Sequence, residues 1–150
     1  MIAIDTNILI YAHVPSFAQH ALAAAALENL ANSGASWAIP WPCAHEFCAV
    51  ITNQKWRSDA LDSAAAVAIL RSWESAPNFR FLGATHSHLN VFAQTLLLSQ
   101  VTGGQVHDAR IAATCLEHNV AELWSADRDF SRFPGLRTRN PLRADPKDLK

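Results

Sequence analysis

Charge is scarce in this chain of 150 residues: only 17% are Asp, Glu, Lys or Arg, which is low for a protein surface. Cysteine is scarcer still. Cys43, Cys48 and Cys115 make an odd count with no disulfide-framework spacing, which fits a reducing compartment. No apolar run reaches the eighteen or so residues that a membrane span needs, and an acid at position 5 replaces the basic lead-in of a secretory leader. The protein is therefore expected in the cytoplasm, away from membranes. Lysine is missing between Lys55 and Lys147, and glycine is missing from Asp5-Thr6-Asn7. The first gap disfavours a receiver-like module, which wants a lysine after its last strand. The second disfavours a dinucleotide fold, whose first turn must admit a pyrophosphate.

What is present bounds the fold. A chain of this length fits one domain, 1–150, and buries roughly 70% of its unfolded-state surface. Five Trp and seven Phe are many for this size and suggest a partner surface, with Trp41, Trp56 and Trp73 as candidates, although core burial is the ordinary fate of such rings. The net charge of −1 hides a split. Residues 1–127 hold five basic and ten acidic side chains, whereas residues 128–150 hold seven basic and three acidic. Such a basic C-terminal segment can approach phosphates electrostatically, or can simply be a solvated terminus.

Strand and helix signals alternate along the chain. Residues 2–4 read as a strand, 17–32 as a helix with Ala23, Ala26, Leu27 and Leu30 on one face, and 37–39 as a second strand. Pro42 suits a first helical turn, followed by Cys43, Phe47, Val50 and Ile51 at helical spacing. Ser58 or Asp59 is expected to cap a third helix running to about Ser75, and Phe79 to Leu82 reads as a strand. Thr85 is expected to cap a helix with Leu89, Phe92, Ala93 and Leu96 inward; after Gly103-Gly104, His107-Asp108 opens another, with Ala109, Ala112, Ala113 and Leu116 inward. Glu122 to Ser125 reads as a strand, Asp127 to Phe133 as a turn or short helix, and Leu136 to Arg139 as an edge strand. The alternation predicts an α/β fold: one three-layer domain with a central parallel sheet of about five strands flanked by helices.

Four acids are candidates for chemistry. Asp5 ends the first strand, and ligands bind at the carboxyl edge of an open α/β sheet. Its alternative role is to bond its own backbone in a turn. Glu46 falls near the inward stripe of its helix, where a carboxylate needs a reason. Asp108 and Asp127 stand at helix starts, where capping is the ordinary explanation, and Asp129 can do what Asp127 does. Doubly wound topology can bring all four to one sheet edge. Two carboxylates about 4 Å apart repel by roughly 4 kcal/mol at an effective dielectric near 20, so a cluster needs protons or a cation. Oxygen-only ligands favour Mg²⁺ or Mn²⁺. Zinc at Cys43-x-His45-x2-Cys48 is disfavoured, because these steps scatter side chains around a helix and no fourth ligand is near.

The chain resembles the PIN-domain nucleases, and among them the VapC-type toxins of bacterial toxin–antitoxin pairs. The motifs are Ile4-Asp5-Thr6-Asn7, Glu46, the run His107-Asp108-Ala109-Arg110-Ile111-Ala112-Ala113, then Trp124-Ser125-Ala126-Asp127-Arg128-Asp129-Phe130 and Phe133-Pro134-Gly135-Leu136. The resemblance implies an endoribonuclease whose acidic pocket binds Mg²⁺ or Mn²⁺. By motif matching, Asp5, Glu46, Asp108 and Asp127 take the catalytic positions, with Asp5, Asp108 and Asp127 on the metal. Ser125 stands where the family often has Thr, and Asp129 ranks behind Asp127. Asn7, Arg110, Ser125 and Arg128 are expected to contact substrate. The implied partners are RNA, a VapB-type antitoxin that masks the acids, often with an arginine, and a second copy of the chain. The competing reading is a receiver-like or RNA-binding α/β module whose acidic pocket does no catalysis.

Overall fold

The computed structural model describes residues 1–55 and 57–143. Trp56 and the end of the basic segment, with Lys147 and Lys150, lie outside the described residues. Five strands form the sheet: β1 (Ile2–Ile4), β2 (Trp37–Pro40), β3 (Phe79–Leu82), β4 (Glu122–Trp124) and β5 (Thr138–Arg139). All pairings are parallel and the spatial order is β3-β2-β1-β4-β5. The helices are α1 (Thr6–His13), α2 (His20–Asn32), α3 (Trp41–Ile51), α4 (Ser63–Glu74), α5 (His88–Ser99) and α6 (Val106–Glu117). Successive residues on a strand face opposite sides, yet Ala3 and Ile4 are both fully buried, as are Ala38 and Ile39. The sheet centre is therefore covered on both faces, as parallel sheets require.

The strand order fixes where a site can form. Winding runs outward from β1 through β2 to β3, then returns to β4 and β5 on the other side. The reversal lies between β1 and β4, and ligands bind at the carboxyl ends of strands flanking such a switch. Asp5 follows β1 there, and Ser125 to Asp127 follow β4. The Asp5 N–H donates to the Trp124 carbonyl at 3.0 Å, which holds the two strand ends together.

Several elements depart from the sequence expectation for physical reasons. The run Ile8 to Tyr11 belongs to an eight-residue helix, α1, capped by Asp5. So short an apolar segment has no period that separates buried helix from buried strand. Helix α2 starts at His20, not 17. Helix α4 is capped by Asp62, which accepts from Ala65 N at 2.7 Å, whereas Asp59 is drawn to Arg57 at 2.8 Å. Helix α5 starts at His88 with Ser87 at its cap position; Thr85 lies in the turn before it, its hydroxyl accepting from Ser87 N at 3.2 Å and donating to Glu117 of α6 at 2.7 Å. Its inward face is also rotated: Phe92 and Leu96 pack on the core, but Leu89 is 75% exposed and Ala93 is exposed. Thr95 takes the buried place, where its hydroxyl donates to Val91 O at 2.8 Å. Strand β4 ends one residue early, at Trp124. Trp73 offers no docking surface: it is buried against Phe47 and His13, with ring centroids 4.9 and 5.4 Å away.

Candidate active site

Asp5 is only 3% exposed and caps α1 at the mouth of the strand switch. One oxygen, Oδ1, accepts from Thr6 N at 2.8 Å and from Cys43 Sγ at 3.7 Å. The other accepts from Asn7 Nδ2 at 2.6 Å and Ser125 Oγ at 2.7 Å. Burial pushes the Asp5 carboxyl up to about 6 against the pull of hydrogen bonds from Ser125 and Thr6, and the charges of Glu46 and Asp108 raise it further. Beneath it, burial raises the Cys43 and Cys115 thiols, and the Asp5 charge adds to that effect. Both stay as neutral packing groups.

Asn7 and Ser125, expected to touch substrate, are turned inward. The Asn7 amide donates to Asp5 and Ser125 and accepts from Ala126 N at 3.0 Å. Ser125 is buried and also accepts from Asp127 N at 3.0 Å. Together they lock the β4 loop onto the β1 loop.

Glu46 sits midway along α3 and is exposed, not inward, but Thr6 Oγ1 donates to its Oε2 at 2.8 Å. Thr6 is thus a link between Asp5 and Glu46 that no local spacing signals. Asp108 is the third residue of α6, half-buried, and shares a cleft of about 520 Å³ with Glu46, His45, His107 and Arg110. Burial raises its carboxyl, and the charges of Asp127, Asp129 and Glu46 add to this while Arg132 opposes it. Asp127 caps the short 3₁₀ turn Arg128–Arg132 through Asp129 N at 2.8 Å and is exposed. Asp129 is ion-paired with Arg132 at 2.9 Å. A second cleft of about 280 Å³ begins at Ser125 and Asp127 and is lined by Arg128, Arg139, Asn140 and Arg143. Arg110 and Arg128 are exposed and line different clefts, Arg110 with Glu46 and Asp108 and Arg128 with Asp127.

These acids offer oxygen donors, the set suited to hard divalent cations. Among the described residues no group of three or more His, Cys, Asp or Glu stands as a ready-made metal cage. The neighbouring carboxylates nevertheless help to raise Asp5 and Asp108, so a cation among them relieves a repulsion already present. Mg²⁺ keeps several waters and takes only one or two carboxylates, which suits so open a set. Cys43, His45 and Cys48 are buried, exposed and half-buried in turn, as expected of side chains scattered around a helix.

A parallel sheet with acids near its switch edge defines an α/β domain of the kind whose ligands bind at that edge. The chain belongs to the PIN-domain family, whose model matches residues 2–136. It is 32% identical to Ribonuclease VapC33 of Mycobacterium tuberculosis over 143 residues, 95% of this chain and 99% of that one. It is 33% identical to Ribonuclease VapC43 of the same organism over 142 residues, 95% of this chain and 96% of that one. Its fold is similar to that of VapBC2 from Rickettsia felis, solved bound to a DNA fragment from its promoter, with a TM-score of 0.67 and 20% identity over 93% of this chain and 98% of that one. FitAcB from Neisseria gonorrhoeae is similar at a TM-score of 0.69 and 18% identity, over 96% of this chain and 100% of that one.

Proposed function

We propose that this chain is a single PIN-type domain acting as a divalent-metal-dependent endoribonuclease, the toxin of a VapBC-type toxin–antitoxin pair. The relatives named as ribonucleases support the reaction class, and the VapBC complexes of like fold support the pairing. The observation that carries the reading is the placement of acids at the strand switch: Glu46 and Asp108 share a cleft and act on Asp5, and Asp127 acts on Asp108.

Asp5 and Asp108, with Asp127, would hold Mg²⁺ or Mn²⁺, which supplies Lewis acidity toward a phosphoryl oxygen and a lowered pKa for water. Glu46, steadied by Thr6, orients the attacking water and takes up its proton. Asn7 and Ser125 keep Asp5 in place through the hydrogen bonds on its Oδ2. Arg110 and Arg128 offset the repulsion between an acidic cleft and a polyanion. The inhibitory partner is a VapB-type antitoxin that masks the acids with a basic side chain, and two copies of the chain pair. Three free cysteines fit a cytoplasmic setting, and among the described residues no helix is long and apolar enough to cross a membrane.

The test is incubation of the purified protein with bulk RNA under Mn²⁺, Mg²⁺ or EDTA. Cleavage with either ion and none with EDTA is the expected result. Binding of RNA without cleavage under any ion would overturn the reading in favour of a non-catalytic RNA-binding module.

A further inference from the structure

Beside the acidic cleft stands a stack of rings that the proposed chemistry does not use. Trp41 opens α3 at the end of β2, and its indole lies over Phe81 of β3 with centroids 4.3 Å apart and planes 18° apart. One helical turn on, His45 stacks with Trp41 at 5.5 Å and 28°; an i,i+4 step places the two side chains together. Two ring pairs deep in the core meet at steeper angles, 59° for Trp37 with Phe79 and 52° for Phe47 with Trp73. The stack of Trp41 with Phe81 and His45 reaches the surface. Trp41 is 38% exposed and His45 is exposed. His45 also lines the cleft with Glu46, Asp108 and Arg110, so the outer ring of the stack faces the cavity of the proposed reacting groups while Trp41 stands behind it.

The geometry points to a stacking seat, formed by Trp41 and His45 and backed by Phe81, for one unpaired nucleobase next to the scissile phosphate. The inference rests on the ribonuclease reading and adds the residues that position the RNA. A flat ring presented beside a cationic side chain is how proteins grip single-stranded nucleic acid: every base has a π-face, and the base must be unpaired to reach it. His45 and Glu46 line the same cleft, so a base seated on the imidazole brings its own backbone to the carboxylates. Arg110 in the same cleft supplies the phosphate contact.

The test separates the seat from the reaction. The unsubstituted protein first cleaves bulk RNA and its cut site is mapped; no cleavage at all refutes the ribonuclease reading, and the seat falls with it. A labelled single-stranded oligonucleotide spanning the site is then titrated against Asp5→Asn protein, alone or combined with Trp41→Ala, Trp41→Phe or His45→Ala. Trp41→Ala weakens binding about tenfold, Trp41→Phe restores it to within about twofold, and His45→Ala, at an exposed position, shifts it in the same direction. The salt slope of binding stays unchanged, because no phosphate contact is lost. An abasic nucleotide beside the cut site weakens binding to the Asp5→Asn protein but not to its Trp41→Ala derivative. Equal affinities across the variants, equal cost of the abasic nucleotide, or weakened capture of an antitoxin with RNA affinity unchanged would each overturn the seat.

Discussion

Ser125 Oγ donates a 2.7 Å hydrogen bond to Asp5 Oδ2 across 120 positions of sequence, joining the ends of the two strands between which the sheet reverses direction. The same hydroxyl accepts from Asn7 Nδ2 and from the Asp127 N–H. One small side chain therefore sets the positions of two of the four acids.

Ser125→Ala removes this junction and leaves a buried carboxylate oxygen and the Asp127 N–H each short of a partner. A loss of about 1 to 3 kcal/mol in denaturant unfolding is expected, together with a marked loss of RNA cleavage. Ser125→Thr keeps the hydroxyl and is expected to retain both folding and activity.

Asp5→Asn should abolish cleavage without destabilising the fold near neutral pH. The amide faces Asn7 and Ser125 with one mismatched donor, a cost of about 1 to 2 kcal/mol. Against this, it removes the ionisation of a buried carboxyl held at about 6 instead of 3.8, worth about 3 kcal/mol at most. Calorimetric melting at pH 7 should show an unchanged or raised Tm; a clear fall would contradict the electrostatic account.

The pH dependence follows with a definite sign. Asp5 binds its proton more tightly folded than unfolded, so folding takes up a proton between about pH 4 and pH 6, and metal-free stability falls as pH rises through that window. Asp108, also raised, acts in the same direction. Asp5→Asn should flatten the slope. Mn²⁺ should raise the Tm more at pH 7 than at pH 5, since only the ionised acids hold it.

Glu117 should act the opposite way. Its side chain is 1% exposed and accepts from Thr85 N, Thr85 Oγ1 and His88 Nδ1 at 3.1, 2.7 and 2.5 Å. Burial alone would raise its carboxyl, but these bonds outweigh it and hold the group below the ordinary glutamate value. Its contribution is present above that value and is lost as pH falls below it. Glu117→Ala, which orphans the Thr85 and His88 groups, should cost about 3 kcal/mol in denaturant unfolding at pH 7.

On the basic side, Arg128→Ala should weaken RNA binding by a similar factor for every sequence and reduce the slope of log affinity against log salt by about one. A loss confined to particular sequences would instead mark Arg128 as a reader of bases.

Much of this arrangement is legible along the chain. Asp5 and Asp127 can be placed because strands end just before them, and Asp108 because Gly103-Gly104 sets the start of its helix. Glu46 is harder: helical spacing puts it near the inward stripe, yet it lies on the surface and is tied to the site by Thr6, forty residues away. A long-range bond also stands just ahead of α5. Thr85 bonds the turn before the helix, accepting from Ser87 N, and its hydroxyl also donates to a glutamate 32 residues later. The stack of Trp41 on Phe81 depends on β2 lying beside β3, a pairing that no local pattern encodes.

The central claim is that the carboxylates at the strand switch share a divalent cation, and titration of Mn²⁺ into the protein by calorimetry tests it most directly. Saturable binding to the unsubstituted protein, reduced at least tenfold by Asp5→Asn and by Asp108→Asn, is the predicted result. Binding that is undiminished in both variants would contradict the account.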